Sequence, residues 1–213
     1  MGSEQHILAV GDIHGCLDRL QRLQEEVLPE LPPQTRLVLL GDYIDRGPDS
    51  AGVLEALLKL RQDRPETVFL LGNHESLLLG ALTGHRRELW LLNGGLETLE
   101  SYGLDAGQLG DLPEAHLEFM RSLALYWQSD EHIFVHAGLR PGLPLEEQSE
   151  RDLLWIREEF FLSDYDFGKT VVFGHTPFPQ PLVRPGRVGI DTGAVYGGRL
   201  TCLKLPEKRF FHL

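Results

Sequence analysis

Five short polar clusters hold the groups that could do chemistry: Gly11-Asp12-Ile13-His14-Gly15, Gly41-Asp42-Tyr43-Ile44-Asp45-Arg46-Gly47, Gly72-Asn73-His74-Glu75, Val135-His136-Ala137-Gly138 and Gly174-His175-Thr176. Together they offer carboxylate, imidazole and amide oxygen without thiolate, the donor set of hard or borderline divalent ions such as Mn²⁺, Fe²⁺ or Zn²⁺. A single Asp or His in such a place is most simply a turn former or a satisfied polar group. Five of them in one chain, with no comparable gathering elsewhere, point to a site.

Something must bring these clusters together. Each follows a short apolar run, at residues 7–10, 37–40, 68–71, 132–135 and 170–173, of the kind a strand covered on both faces presents. Polar groups at the C-terminal ends of such strands lie on the edge of an α/β sheet where ligands bind. Between the first three runs, Leu17, Leu20, Leu23 and Val27, then Val53, Leu54, Leu57, Leu58 and Leu60, recur at helical spacing. The first third therefore reads βαβαβ. Asp49-Ser50 suits an N-cap, and Pro29, Pro32, Pro33 and Pro65 suit helix stops. Residues 76–130 are Leu-rich with helical periodicity, broken at Asn93-Gly94-Gly95, and read as a helical insertion. The runs 187–190, 199–205 and 209–211 read as an antiparallel meander.

Composition narrows the class. The chain has 213 residues with Lys+Arg 20 against Asp+Glu 32, a net charge of −12, which repels nucleic acid and anionic lipid. Its length suits one domain spanning residues 1–213. Two cysteines, Cys16 and Cys202, are too few for a disulfide framework and fit a reducing cytoplasm. No run of about eighteen apolar residues suggests a membrane span, and the opening, with Glu4 and His6, lacks the features of a signal peptide. Gly2 is no myristoylation site, because His6 stands where Ser or Thr is needed. Gly168-Lys169-Thr170 imitates a P-loop end, but Ser163 occupies the position of its first glycine. His85-Arg86-Arg87 reads as a solvated helix start, and Cys16 as a buried small residue.

Taken in order, the five clusters resemble those of the metallophosphoesterase superfamily. Asp45-Arg46-Gly47 after Gly41-Asp42, with Ile190-Asp191-Thr192-Gly193 and Tyr196-Gly197-Gly198 near the end, is similar to its phosphoprotein phosphatase branch. That branch includes bacterial and phage serine/threonine phosphatases and symmetrical diadenosine tetraphosphatases. The resemblance implies a four-layer α/β/β/α sandwich with residues 76–130 as a helical cap, and two divalent ions, Mn²⁺ foremost with Fe²⁺, Zn²⁺ or Ni²⁺ as alternatives. It implies Asp12, His14 and Asp42 on one ion, and Asp42, Asn73, His136 and His175 on the other, with Asp42 bridging. His74 would be the general acid oriented by Asp45, while Arg46, Arg157 in Leu153-Leu154-Trp155-Ile156-Arg157, and Tyr196 would contact substrate. Thr176-Pro177 follow His175 where broader members place a further His, leaving one ion three protein ligands. The eukaryotic segment Ser-Ala-Pro-Asn-Tyr is missing, so no regulatory subunit is implied.

By this resemblance the chain is a phosphomonoesterase of the serine/threonine protein phosphatase kind, using a metal-bridging hydroxide on a phosphorylated protein, peptide or small phosphoester. A dinucleoside polyphosphate hydrolase is the alternative, although the chain reads as short for that group. A metal-stabilised, inactive binding module is the remote third reading.

Overall fold

A computed structural model describes residues 6–213; the readings of Gly2 and Glu4 lie outside the described residues. In β1 (Ile7–Val10) all four side chains are buried, and strand geometry sends them alternately to opposite faces. Ile7 and Ala9 join Phe134, Val172 and Val188 in one apolar core, whereas Leu8 and Val10 join Leu20, Leu54 and Leu57 in another. The continuous apolar run seen in the sequence is thus a strand sandwiched between a second sheet and a helical layer.

The chain continues through α1 (Leu17–Arg22, prolonged by a π-turn to Val27), β2 (Arg36–Leu39), α2 (Ser50–Asp63) and β3 (Val68–Phe69). Next come α3 (Asn73–Leu82), α4 (Arg87–Trp90), α5 (Leu96–Ser101), α6 (Glu114–Arg121), β4 (Tyr126–Gln128) and β5 (His132–Val135). It ends with α7 (Glu150–Trp155), α8 (Glu158–Phe161), β6 (Thr170–Phe173), β7 (Leu182–Arg184), β8 (Arg187–Gly189), β9 (Asp191–Thr192), β10 (Arg199–Leu205) and β11 (Arg209–His212).

One sheet runs β11-β10-β1-β2-β3, with β9 against β10; the other runs β4-β5-β6-β8-β7. Strands β1, β2 and β3 are parallel, as are β5, β6 and β8. Three apolar cores confirm four layers. One lies between the sheets, one under α1 to α3 and α6 against the first sheet, and one under α7 and α8 against the second. The N-cap reading holds, since the Asp49 carboxylate accepts the Gly52 N–H at 2.7 Å.

Three expectations change. The closing runs are not one meander: β10 and β11 form a hairpin in the first sheet, but β8 lies in the second, parallel to β6. Residues 187–190 form a hairpin with β7 just before them and pair on their other side with β6, not with the runs that follow. The helical stretch begins at Asn73 and ends at Arg121, so the span 76–130 misses both ends; Tyr126–Gln128 is an edge strand antiparallel to β5. The insertion is also more than a cap. Leu77, Leu78, Trp90, Leu99, Leu117 and Phe119 share the core that covers Leu8, Leu37 and Leu39.

Candidate metal centre and active site

Parallel strands point the same way, so β1, β2 and β3 deliver their polar clusters to one sheet edge, and β5 and β6 deliver theirs to the edge facing it. Hydrogen bonds tie the edges together. The His175 N–H donates to both Asp12 oxygens at 3.0 and 3.2 Å, and His136 Nδ1–H donates to Leu40 O at 2.9 Å. A side chain at Gly174 would collide with the Asp12 carboxylate, so that approach requires glycine.

Asp42 lies at the centre, 2% exposed. Its Oδ2 is 3.4 Å from His14 Nε2 and 3.9 Å from His74 Nε2, and its Oδ1 is 3.4 Å from His136 Nε2. The Asn73 Oδ1 sits 2.9 Å from His136 Nε2 and 2.8 Å from His175 Nδ1. Donor atoms of His14, Asp42 and His74, and of Asp42, His136 and His175, lie within 4.8 Å of one another, two groups sharing Asp42. Asp12 belongs to neither group, its oxygens being turned to the His175 N–H.

The hydrogen bonds test whether cations fit here. Ile44 O accepts from His14 Nδ1–H at 2.8 Å as Leu40 O does from His136. A carbonyl can only accept, so each ring carries its proton on Nδ1 and turns an Nε2 lone pair toward Asp42. Burial, only partly offset by Asp42, lowers His14 to about 3 and leaves that ring neutral. Burial and the neighbouring His136 likewise lower His175, whose Nε2 is buried without a hydrogen-bond partner. Lone pairs facing a carboxylate repel it unless positive charge lies between them. At His14 the charge is supplied by Arg46, whose Nη1 is 2.8 Å from Nε2. The donor set therefore fits divalent ions.

His74 lies in the first turn of α3 and is ordered differently. Its Nδ1 is 2.7 Å from Asp45 Oδ2, and although burial works against a charged ring, Asp42 and Asp45 together raise its affinity for a proton. Asp45 is fully buried; burial raises it and the bonds from His74, Thr98 and Trp90 oppose that rise. Arg157 lies between α7 and α8, with its Nη1 3.3 Å from Thr176 Oγ1 beside His175. Tyr196 is 63% exposed, its ring centroid 5.7 Å from the Arg46 guanidinium carbon. The structure thus brings every residue singled out from the sequence to this edge or its rim.

Four residues were missed. Glu75, fully buried, accepts the N–H groups of Asp42, Tyr43, Ile44 and Gly72 at 2.8 to 3.2 Å, tying the Asp42 loop to the start of α3. Its place in Gly72-Asn73-His74-Glu75 was the available signal. Asp191, raised to about 6 chiefly by burial, accepts the Gly193 N–H at 2.9 Å. Trp90 and Thr98 bond Asp45 from the helical insertion, and no local pattern marks them. The decoys resolve as read. Lys169 Nζ is held by Gln128 and Ser129, and burial raises the Cys16 thiol to about 11.

The family model for calcineurin-like phosphoesterases matches residues 5–207. The chain belongs to that family, a family of metal-dependent phosphoesterases. It is 30% identical to a Bacillus thuringiensis bis(5'-nucleosyl)-tetraphosphatase PrpE of the asymmetrical type, over 93% of this chain and 89% of the relative. It is 34% identical to serine/threonine-protein phosphatase 1 of Salmonella typhimurium, over 94% of this chain and 92% of the relative. A solved structure of a candidate diadenosine tetraphosphatase superposes with a TM-score of 0.77 at 25% identity, covering 100% of this chain and 94% of the other. The expectation that this chain is short for a dinucleotide enzyme therefore fails, since proteins so named are matched over nearly their whole length. Among the described residues no helix is long and apolar enough to cross a membrane.

The His14 geometry predicts a pH effect in metal-free protein. The folded ring stays neutral down to about 3, whereas the unfolded one takes up a proton near 6.5. Between those values the unfolded state binds more protons, so the stability His14 contributes is lost as pH falls. Urea denaturation of the parent and His14→Asn across that window should show their stability difference moving against the parent with acidification. A difference independent of pH would contradict the assignment.

Proposed function

We propose that this protein is a dinuclear phosphoester hydrolase acting on phosphomonoesters of seryl or threonyl alcohols. The convergence of His14, His74 and His136 on buried Asp42, with Asn73 against His136 and His175 and with Arg46 and Arg157 close by, supports that reading. Asp12, His14 and Asp42 would hold one ion, and Asp42, Asn73, His136 and His175 the other, with Mn²⁺ as the working metal. When bound, such ions supply Lewis acidity and make water a stronger acid.

The chain's own groups do the rest. Arg46 and Arg157 neutralise phosphate oxygens, the planar guanidinium fork matching two oxygens at once. Tyr196 borders the entry. His74, with Nδ1 bonded to Asp45, offers the proton on Nε2 to the departing oxygen. An alkoxide is a strongly basic leaving group that needs this proton, whereas a phosphate leaving from an anhydride is already stable as an anion. The carboxylate-imidazole pair therefore favours the ester. Both cysteines are buried and unpaired, which agrees with work in the reducing cytoplasm.

One observation favours the dinucleoside polyphosphate alternative. A groove of about 590 Å³ beside Trp155 is lined by Arg86 and Arg151 with Leu89 and Leu154, and by Ser76 and Glu150, so that cations outnumber carboxylates beside apolar surface. That lining suits a second phosphate and a base. Trp155 itself stands 6.1 Å from the His175 ring, so the groove adjoins the centre.

With Mn²⁺-loaded enzyme, a phosphoseryl peptide should be hydrolysed with at least about tenfold higher kcat/KM than diadenosine tetraphosphate, the discrimination one well-placed proton donor supplies. The reverse order would establish the second reading. Asp42→Asn should abolish turnover on either substrate and lower the metal content measured by elemental analysis; an unchanged content would contradict the bridging role.

A further inference from the structure

The helical insertion reaches the site from behind the catalytic imidazole. Asp45 accepts Trp90 Nε1–H at 3.1 Å on each oxygen and the Thr98 hydroxyl at 2.6 Å on Oδ1. Trp90, Thr98 and Asp45 are all fully buried. The Thr98 oxygen in turn lies 2.9 Å from the Asp45 N–H and 3.0 Å from Ser50 Oγ. One carboxylate is thus gripped from α4 and α5, 45 and 53 residues away in sequence.

The chain is built to allow this. Between α4 and α5 the helical path breaks at Asn93 and at Gly94, whose φ is 109°. There Gly94 O accepts the Arg46 N–H at 3.3 Å, and a side chain on Gly94 would strike the Arg46 backbone. Gly95 lies beneath the Trp90 ring, where a Cβ would also collide. The break therefore lets the last residue of α4 and the first turn of α5 face Asp45 together.

A carboxylate held only by His74 could rotate about its Cβ–Cγ bond. An indole N–H shared between both oxygens fixes its plane, and the Thr98 hydroxyl occupies Oδ1, leaving Oδ2 for His74 Nδ1. We propose that Trp90 and Thr98 are positioning residues that set the plane of Asp45 and, through it, the aim of His74 Nε2 into the cleft. This rests on the reading of His74 as proton donor.

The test compares an ester with a poor leaving group, a phosphoseryl peptide, and one with a good leaving group, 4-nitrophenyl phosphate. Trp90→Phe keeps the ring over Gly95 and removes the donor. Its kcat on the peptide should fall roughly 10- to 100-fold, the worth of a hydrogen bond to a charged group, and on the aryl ester less than about threefold. KM and metal content should not move. Thr98→Val should behave the same way and Thr98→Ser should restore the parent rate, which keeps the test open should Trp90→Phe fold poorly. In a His74→Asn background, Trp90→Phe should add nothing, because its effect passes through that ring.

Equal losses on both esters, or a further loss on top of His74→Asn, would overturn the positioning role. If His74→Asn itself slows both esters equally, the proton-donor reading fails first and the proposal falls with it. If His74→Asn discriminates between the esters and Trp90→Phe does not, only the positioning role fails.

Discussion

A carboxylate buried to 2% exposure and ringed by imidazole lone pairs is the constraint on which the rest of the molecule depends. The His74 backbone N–H, which Asp42 Oδ1 accepts at 3.1 Å, offsets only part of the cost, because burying charge with too little compensation costs several kcal/mol. Protonating the rings would relieve it, but burial holds His14, His136 and His175 below their ordinary range. Carbonyl oxygens of Ile44 and Leu40 fix two tautomers so that the lone pairs face inward. A site so arranged suits cations from solvent, and its scaffold already holds these donor atoms together.

Holding them has a cost visible in the backbone. His14, Asp42, Asp45, Arg46 and His175 all have positive φ, between 46° and 72°, a region unfavourable for residues with a side chain. Strain of this sort runs to about 1–3 kcal/mol per residue and persists only where the surroundings over-determine it. Here the surroundings are identifiable. Glu75 collects four backbone N–H groups from two loops, Asp12 collects the His175 N–H across the sheets, and two sheets packed face to face supply the rigid edge. The apolar mass under α1 to α3 and α6 keeps that edge in place.

Much of this was legible in the sequence, for reasons that are local. Strands β1, β2, β5 and β6 announce themselves as short apolar runs because both their faces are covered, and the polar clusters follow directly at their ends. The sandwich came from family resemblance, since nothing in periodicity says that β8 joins β6 instead of β10. Strand β4 was hidden because three residues at a sheet edge, Tyr126 to Gln128, carry too little pattern to separate them from the helices before them. The grip of Trp90 and Thr98 on Asp45 was invisible because it depends on a break in the helical path at Asn93 and Gly94 and on contacts between residues distant in sequence. Glu75 stood in plain view within a quoted motif, and only its four hydrogen bonds reveal what it does.

The most direct measurement is anomalous diffraction at the manganese edge from crystals grown with excess Mn²⁺. Two peaks about 3.5–4 Å apart astride the Asp42 carboxylate are the result a shared-carboxylate pair requires. A single peak, or peaks with Asp42 outside bonding reach of either, would contradict the account at its centre.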